Sequence, residues 1–154
     1  MSGMYRVPFS YTGNGNVDLL EITAGAAQPV AIHGIFISQT SDVGDAAEEI
    51  IQLLLKSGQT SSGTGGSAST PVANDPASAP TPGFSAEQAN TTLASGGTIV
   101  THPIEAWNVR QGYDRLFSEL EVILLRGGRR ATLELPGASD SLTISGYLLV
   151  QEIA

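Results

Sequence analysis

Toward the end of the chain, Leu142, Ile144, Leu148 and Val150 alternate with Thr143, Ser145, Tyr147 and Leu149. A period of two sends one set to a buried face and the other toward solvent, a pattern that a helix cannot satisfy. Gly146, inside the run, marks a place where a bulge fits. Val17–Thr23 and Val30–Ser38 also read as strands. Further strand-like segments lie at 90–94, 98–102, 105–110, 115–125 and 131–135, with Gly, Pro, Asn and Asp between them. The turn Arg126-Gly127-Gly128-Arg129-Arg130 is a hairpin signal. With roughly eight to ten such strands and no alternation of strand with helix, the expected fold class is all-β. An antiparallel β-sandwich or jelly roll fits that pattern.

Three segments set the expected domain layout. Residues 1–12 contain Tyr5-Arg6-Val7-Pro8-Phe9-Ser10-Tyr11. Pro8 cannot donate to a ladder, so an edge strand or an extended N-terminal arm is expected there. Residues 13–154 then form a single sandwich domain. Asp45–Lys56 admits two readings. Asp45 with Glu48 resembles a helix-capping pair, whereas Ile51, Leu53 and Leu55 alternate with Gln52, Leu54 and Lys56 as in a strand. Strand is the expectation, because every long neighbour reads as strand. In Ser57–Gly83, 19 of 27 residues are Gly, Ser, Thr or Pro, leaving little apolar surface to offset the entropy of ordering. A long Gly/Ser/Thr/Pro-rich loop over residues 57–90 is therefore expected on one rim, ordered by neighbouring subunits.

Seven Lys and Arg stand against fifteen Asp and Glu, a formal net charge of −8. Nucleic-acid affinity comes largely from neutralising phosphates, so neither nucleic acid nor an anionic membrane is an expected partner. Cysteine is absent, which removes disulfides, thiolate zinc sites and cysteine nucleophiles. Met1–Ser10 lacks the apolar run of a signal peptide. No stretch reaches the roughly 20 apolar residues of a membrane span. Synthesis in a cytosol-like compartment is expected.

Signals of catalysis are thin. Gly63-Thr64-Gly65-Gly66 lacks both the Lys and the strand–helix setting of a phosphate loop. His33 and His102 are the only histidines; they lack zinc-site spacing, and both read as structural. There is no G-x-S-x-G elbow. Asp42, Asp45, Glu48 and Glu49 form the densest acidic cluster, which reads as a solvated rim without EF-hand spacing. No metal, cofactor or enzymatic activity is expected. Candidate partner contacts are the aromatic and arginine side chains that typically anchor interfaces. They are Tyr5, Arg6 and Phe9, then Trp107, Arg110 and Tyr113, and finally Arg129 and Arg130, whose guanidiniums suit carboxylates. For Trp107 a place in the core is the stronger expectation.

Several phrases resemble proteins of the structural gene modules of tailed bacteriophages. They are Met4-Tyr5-Arg6-Val7-Pro8-Phe9-Ser10, Thr60-Ser61-Ser62-Gly63-Thr64-Gly65-Gly66-Ser67, and the run from Asn90-Thr91-Thr92 to Ser95-Gly96-Gly97-Thr98. Trp107-Asn108-Val109-Arg110 and Gly146-Tyr147-Leu148-Leu149-Val150-Gln151-Glu152 complete the set. The resemblance implies a virion protein, most like the head decoration or cement proteins. Those are often β-sandwiches or jelly rolls that trimerise on the capsid exterior, bridging capsid subunits. It implies the major capsid protein and further copies of this chain, as a homotrimer, for partners, and synthesis in the host cytoplasm. The alternative expectation is a tail- or fibre-associated β-sandwich domain that binds carbohydrate or another tail protein. A β-sandwich hydrolase is the third.

Overall fold

The computed structural model describes residues 3–41, 49–77 and 81–153. In chain order its strands are β1 (Met4–Gly13), β2 (Val17–Thr23), β3 (Val30–Gln39), β4 (Ile50–Ile51) and β5 (Leu54–Gln59). Then come β6 (Ser67–Ala68), β7 (Val72–Ala73), β8 (Ser85–Asn90), β9 (Val100–His102) and β10 (Trp107–Asn108). β11 (Tyr113–Leu116), β12 (Ile123–Leu125), β13 (Arg130–Leu135) and β14 (Leu142–Glu152) follow. No helix occurs among the described residues.

One sheet runs β11-β3-β14-β1-β7, with β12 also on β3, and the other runs β6-β8-β2-β13-β5-β9. β4 and β10 make a short ladder of their own. The pairings within both sheets are antiparallel, and the two sheets pack as a β-sandwich. Val7 and Phe9 of β1, Ile35 of β3 and Leu148 of β14 share one core with Leu20 of β2, Leu55 of β5 and Leu133 of β13. The β14 alternation delivers its buried face as read: Leu142, Ile144, Leu148 and Val150 are all buried. In β2 a bulge opposite Leu133/Glu134 leaves Leu19 unpaired, so Leu19 and Leu20 are both buried.

The N-terminal segment is not an arm. β1 pairs with β14 along its whole length, from Met4↔Gln151 to Gly13↔Leu142, and Tyr5 and Phe9 keep only 1% and 3% of their surface. Pro8 is tolerated because its backbone faces away from β14. On that outer edge its carbonyl accepts the Ser69 hydroxyl, and the Ser10 N–H donates to the Gln88 side chain. β7 reaches only Tyr5 and Arg6, so β1 is an edge strand beyond Arg6 while its side chains fill the core.

Three further expectations change. Gly127-Gly128 makes a tight turn with both glycines at positive φ, and the Arg129 N–H donates to the Arg126 carbonyl. The flanking strands nevertheless belong to different sheets, β12 on β3 and β13 on β2 and β5, so the turn is a crossing between sheets rather than a hairpin. The bulge expected at Gly146 lies instead on β3, where His33 is the extra residue between Gly34↔Leu149 and Ile32↔Val150. Its ring nitrogen Nε2 meets Gln151 Oε1 at 2.8 Å. Residues 57–90 are not one long loop either. The end of β5, then β6, β7 and β8, divide that span, and backbone pairing, polar side chains and the buried Phe84 and Ala86 anchor it. Asp45–Lys56 is strand in its described part, over β4 and the start of β5; Asp45 to Glu48 lie outside the described residues.

Because β1 fills the core, Phe9→Ala is expected to lower the unfolding free energy by about 3–5 kcal/mol in urea titration. A loss below about 1 kcal/mol would restore the arm reading.

Candidate functional site

The eight side chains chosen as partner contacts do not converge. Tyr5, Phe9 and Trp107 are core residues; the Trp107 indole N–H donates to the Gln111 carbonyl. Tyr113 is half-buried against the same core. Arg6 lies exposed on the outer face of the first sheet, its guanidinium 5.7 Å from the centre of the Tyr147 ring. Tyr147 in turn stacks on Phe36 at 4.5 Å and 14°. Arg110 and Arg129 are exposed, the latter on the sheet-crossing turn. Arg130 is not available for docking: its Nε lies 2.9 Å from Glu21 Oε1, and its NH1 donates to the Thr60 carbonyl at 2.7 Å.

That ion pair belongs to a covered polar face. On the outer side of the second sheet, Asp18, Glu21, Gln59, Asn90, Thr132 and Glu134 are all buried. The cover consists of two backbone segments bridged to each other at Ser61↔Ser95 and Thr64↔Thr92. The Gly63 N–H donates to Glu21 Oε2 at 2.9 Å and the Ser62 hydroxyl to Glu21 Oε1 at 2.8 Å. The Ala94 N–H donates to Asp18 Oδ2 at 2.8 Å. Gly63 is needed in the cover, since a Cβ there would sit 2.5 Å from the Thr92 carbonyl oxygen. The glycine-rich phrase thus turns a backbone N–H to a carboxylate of its own chain, the same donor-to-anion logic by which a phosphate loop holds its ligand. Lys56 pairs with Glu134 at 2.5 Å.

Among the described residues no three His, Cys, Asp or Glu side chains converge to hold a metal ion. In the acidic cluster read as a rim, Asp42, Asp45 and Glu48 lie outside the described residues. Glu49 is buried and accepts the Asp140 N–H at 3.1 Å.

The site that sequence reading missed is a cleft of about 400 Å³ on one open side of the sandwich. There the edge of the second sheet, β5 and β9, parts from the edge of the first, β11 and β12. Leu55, Ile104, Phe117, Ile123 and Leu124 line it. Inside, Ser57 Oγ meets His102 Nε2 at 2.7 Å, and burial pushes the His102 pKa below its ordinary value. The imidazole tautomer sets which of the two donates. The spacing is that of a nucleophile and its base, but acyl transfer also needs a group orienting Nδ1 and donors for an oxyanion. Among the described residues no hydrogen bond to His102 Nδ1 occurs.

A hydrogen-bonded turn forms part of the rim of the cleft. Residues 115–125 do not run as one strand, because the Glu121 N–H donates to the Ser118 carbonyl at 2.9 Å and closes a turn between β11 and β12. The Glu121 carboxylate accepts the Ser118 N–H and hydroxyl, and pairs with Arg115 at 2.8 Å. These contacts, those of Ser118 first, hold Glu121 below the usual carboxylate range. At the tip Leu120 is 98% exposed. The one signal in the sequence was Ser118-Glu119-Leu120-Glu121, polar residues interrupting an apolar run. Comparison with known protein families, curated proteins and solved structures gives no significant match.

Asp18 supplies a pH test of the covered face. Burial first, then the nearby Glu134 and Glu21 charges, push its pKa from 3.8 up to about 6, against the Ala94 N–H and Lys56. A raised carboxyl favours the folded state below its unfolded pKa, and that contribution is lost as pH climbs toward 6. Asp18→Asn keeps an oxygen for the Ala94 N–H and removes the charge. In thermal melts the variant is expected to gain on the parent between pH 4 and pH 7, by at least about 2 °C. A constant difference across that range would refute the assignment.

Proposed function

We propose that the chain is a structural virion protein that decorates a phage capsid as a homotrimer, bridging subunits of the shell without transforming a small molecule. The observation that carries the proposal is the open side: a stiffened turn presents a fully exposed Leu120 beside a cleft that combines apolar and polar side chains. Exposed aliphatics grouped with a cleft are what a protein presents when it is completed by other chains. The resemblance of the phrases quoted above to phage structural proteins supplies the setting.

We also read the sandwich as a jelly roll. Eight strands divide as β1-β14-β3-β11 on one sheet and β2-β13-β5-β9 on the other, crossing between sheets at each step in chain order except from β5 to β9, the arrangement that two Greek keys generate and that recurs in viral capsid proteins. β6 and β8 extend the second sheet beyond β2. Fold alone does not carry function, so the order supports the proposal only beside the open side. A tail- or fibre-associated domain would share this architecture. Its carbohydrate-binding form needs free aromatic faces, whereas Trp107 is buried and Phe36 and Tyr147 stack on each other.

Shells stripped of this protein and shells carrying it should differ in survival of heat and osmotic shock, the decorated ones lasting longer. Equal survival would remove the cement role and bring the tail-domain reading forward. The Ser57–His102 pair favours one further reading, acyl transfer, and a fluorophosphonate probe separates it: no labelling of Ser57 is expected, and stoichiometric labelling lost in His102→Ala would establish a catalyst.

A further inference from the structure

Ile99, Val100, Leu116, Leu120 and Leu124 are five of the eight large aliphatic side chains left exposed among the described residues. All five lie on or beside β9, β11 and β12, the strands that end the two sheets on one side. Charge singles out the same stretch. Residues 99–129 hold four arginines, Arg110, Arg115, Arg126 and Arg129, against four acids, Glu105, Asp114, Glu119 and Glu121. The remaining three cations and eleven acids carry the whole formal charge of −8. Two copies of so acidic a chain repel across most orientations, and the neutral stretch is where they approach without that cost.

Shape agrees with charge. The Ser118–Glu121 turn, fixed by its own hydrogen bonds and by Arg115, holds Leu120 outward with little conformational freedom left to lose. It forms one wall of a cleft whose floor includes Leu55, Phe117 and Ile123, with Ser57 and His102 as its polar groups. A knob and a hole side by side on one chain let the knob of one copy enter the hole of the next, a head-to-tail contact of the kind that closes a ring.

We propose that the open side is the docking site for a second copy of this chain, with Leu120 of one copy seated in the cleft of the other. The inference rests on the reading of this chain as an assembling protein and gives that assembly its contact surface. The Arg115–Glu121 pair then lies at the rim, where it fixes the knob, and the apolar contact at the centre excludes water.

Sedimentation of the full chain tests it. The parent is expected to sediment as an oligomer at micromolar concentration, and added salt should leave the association unchanged or strengthen it, because it screens the repulsion between acidic surfaces. Leu120→Asp should weaken association at least about tenfold with an unchanged circular dichroism spectrum, since a side chain 98% exposed takes no part in the fold. Val72→Asp, an exposed aliphatic on the opposite edge of the first sheet, should leave the mass as it was. A monomeric parent, or Leu120→Asp that associates like the parent, overturns the proposal. A monomer that still protects shells overturns this contact and keeps the decoration reading. An oligomer lost in Leu120→Asp but indifferent to shells keeps this contact and overturns decoration.

Discussion

A carboxylate with 1% of its surface exposed must find donors inside the protein, and Glu21 finds them on every side. The Ser62 hydroxyl donates to one oxygen, where the Arg130 guanidinium supplies the opposite charge; the Gly63 N–H and the Asn90 side chain donate to the other. These groups come from three separate parts of the chain, so satisfying one charge fixes the cover, β8 and the exit of the sheet-crossing turn together. Removing any one of them leaves a buried charge short of a partner, and that penalty exceeds the worth of the bond itself. The face would otherwise be wet, and the glycine-rich segment would have nothing to lie on.

This explains which parts of the fold could be read from the sequence. β2, β3 and β14 announce themselves through apolar periodicity, a local property of the chain. The cover over the second sheet is held by polar contacts such as Gly63 to Glu21 and Ala94 to Asp18. Those partners lie 42 and 76 residues apart, and composition alone suggested a long loop where the chain is pinned. The Gly127-Gly128 turn shows the same limit. Its local geometry was legible, but which sheet each flanking strand joins depends on β2, β3 and β5.

The open side was the least legible part. Leu116, Leu120 and Leu124 read as one strand until the Glu121 carboxylate is seen closing the turn between them. Ser57 and His102, 45 residues apart, meet only because β9 pairs with β5. Conversely, the aromatic residues that suggested contact, Tyr5, Phe9 and Trp107, are large apolar groups first, and the core claimed them.

The pairing of β1 with β14 also sets how the protein carries load. Their ladder is antiparallel, with Met4 beside Gln151 at one end and Gly13 beside Leu142 at the other. Tension applied at Met4 and Gln151 opens that ladder one rung at a time, because each hydrogen bond lies across the strands and is met in turn. Tension drawn in opposite directions along β1 and β14 instead loads those bonds together, so the same ladder is weak to peeling from that pole and strong in shear.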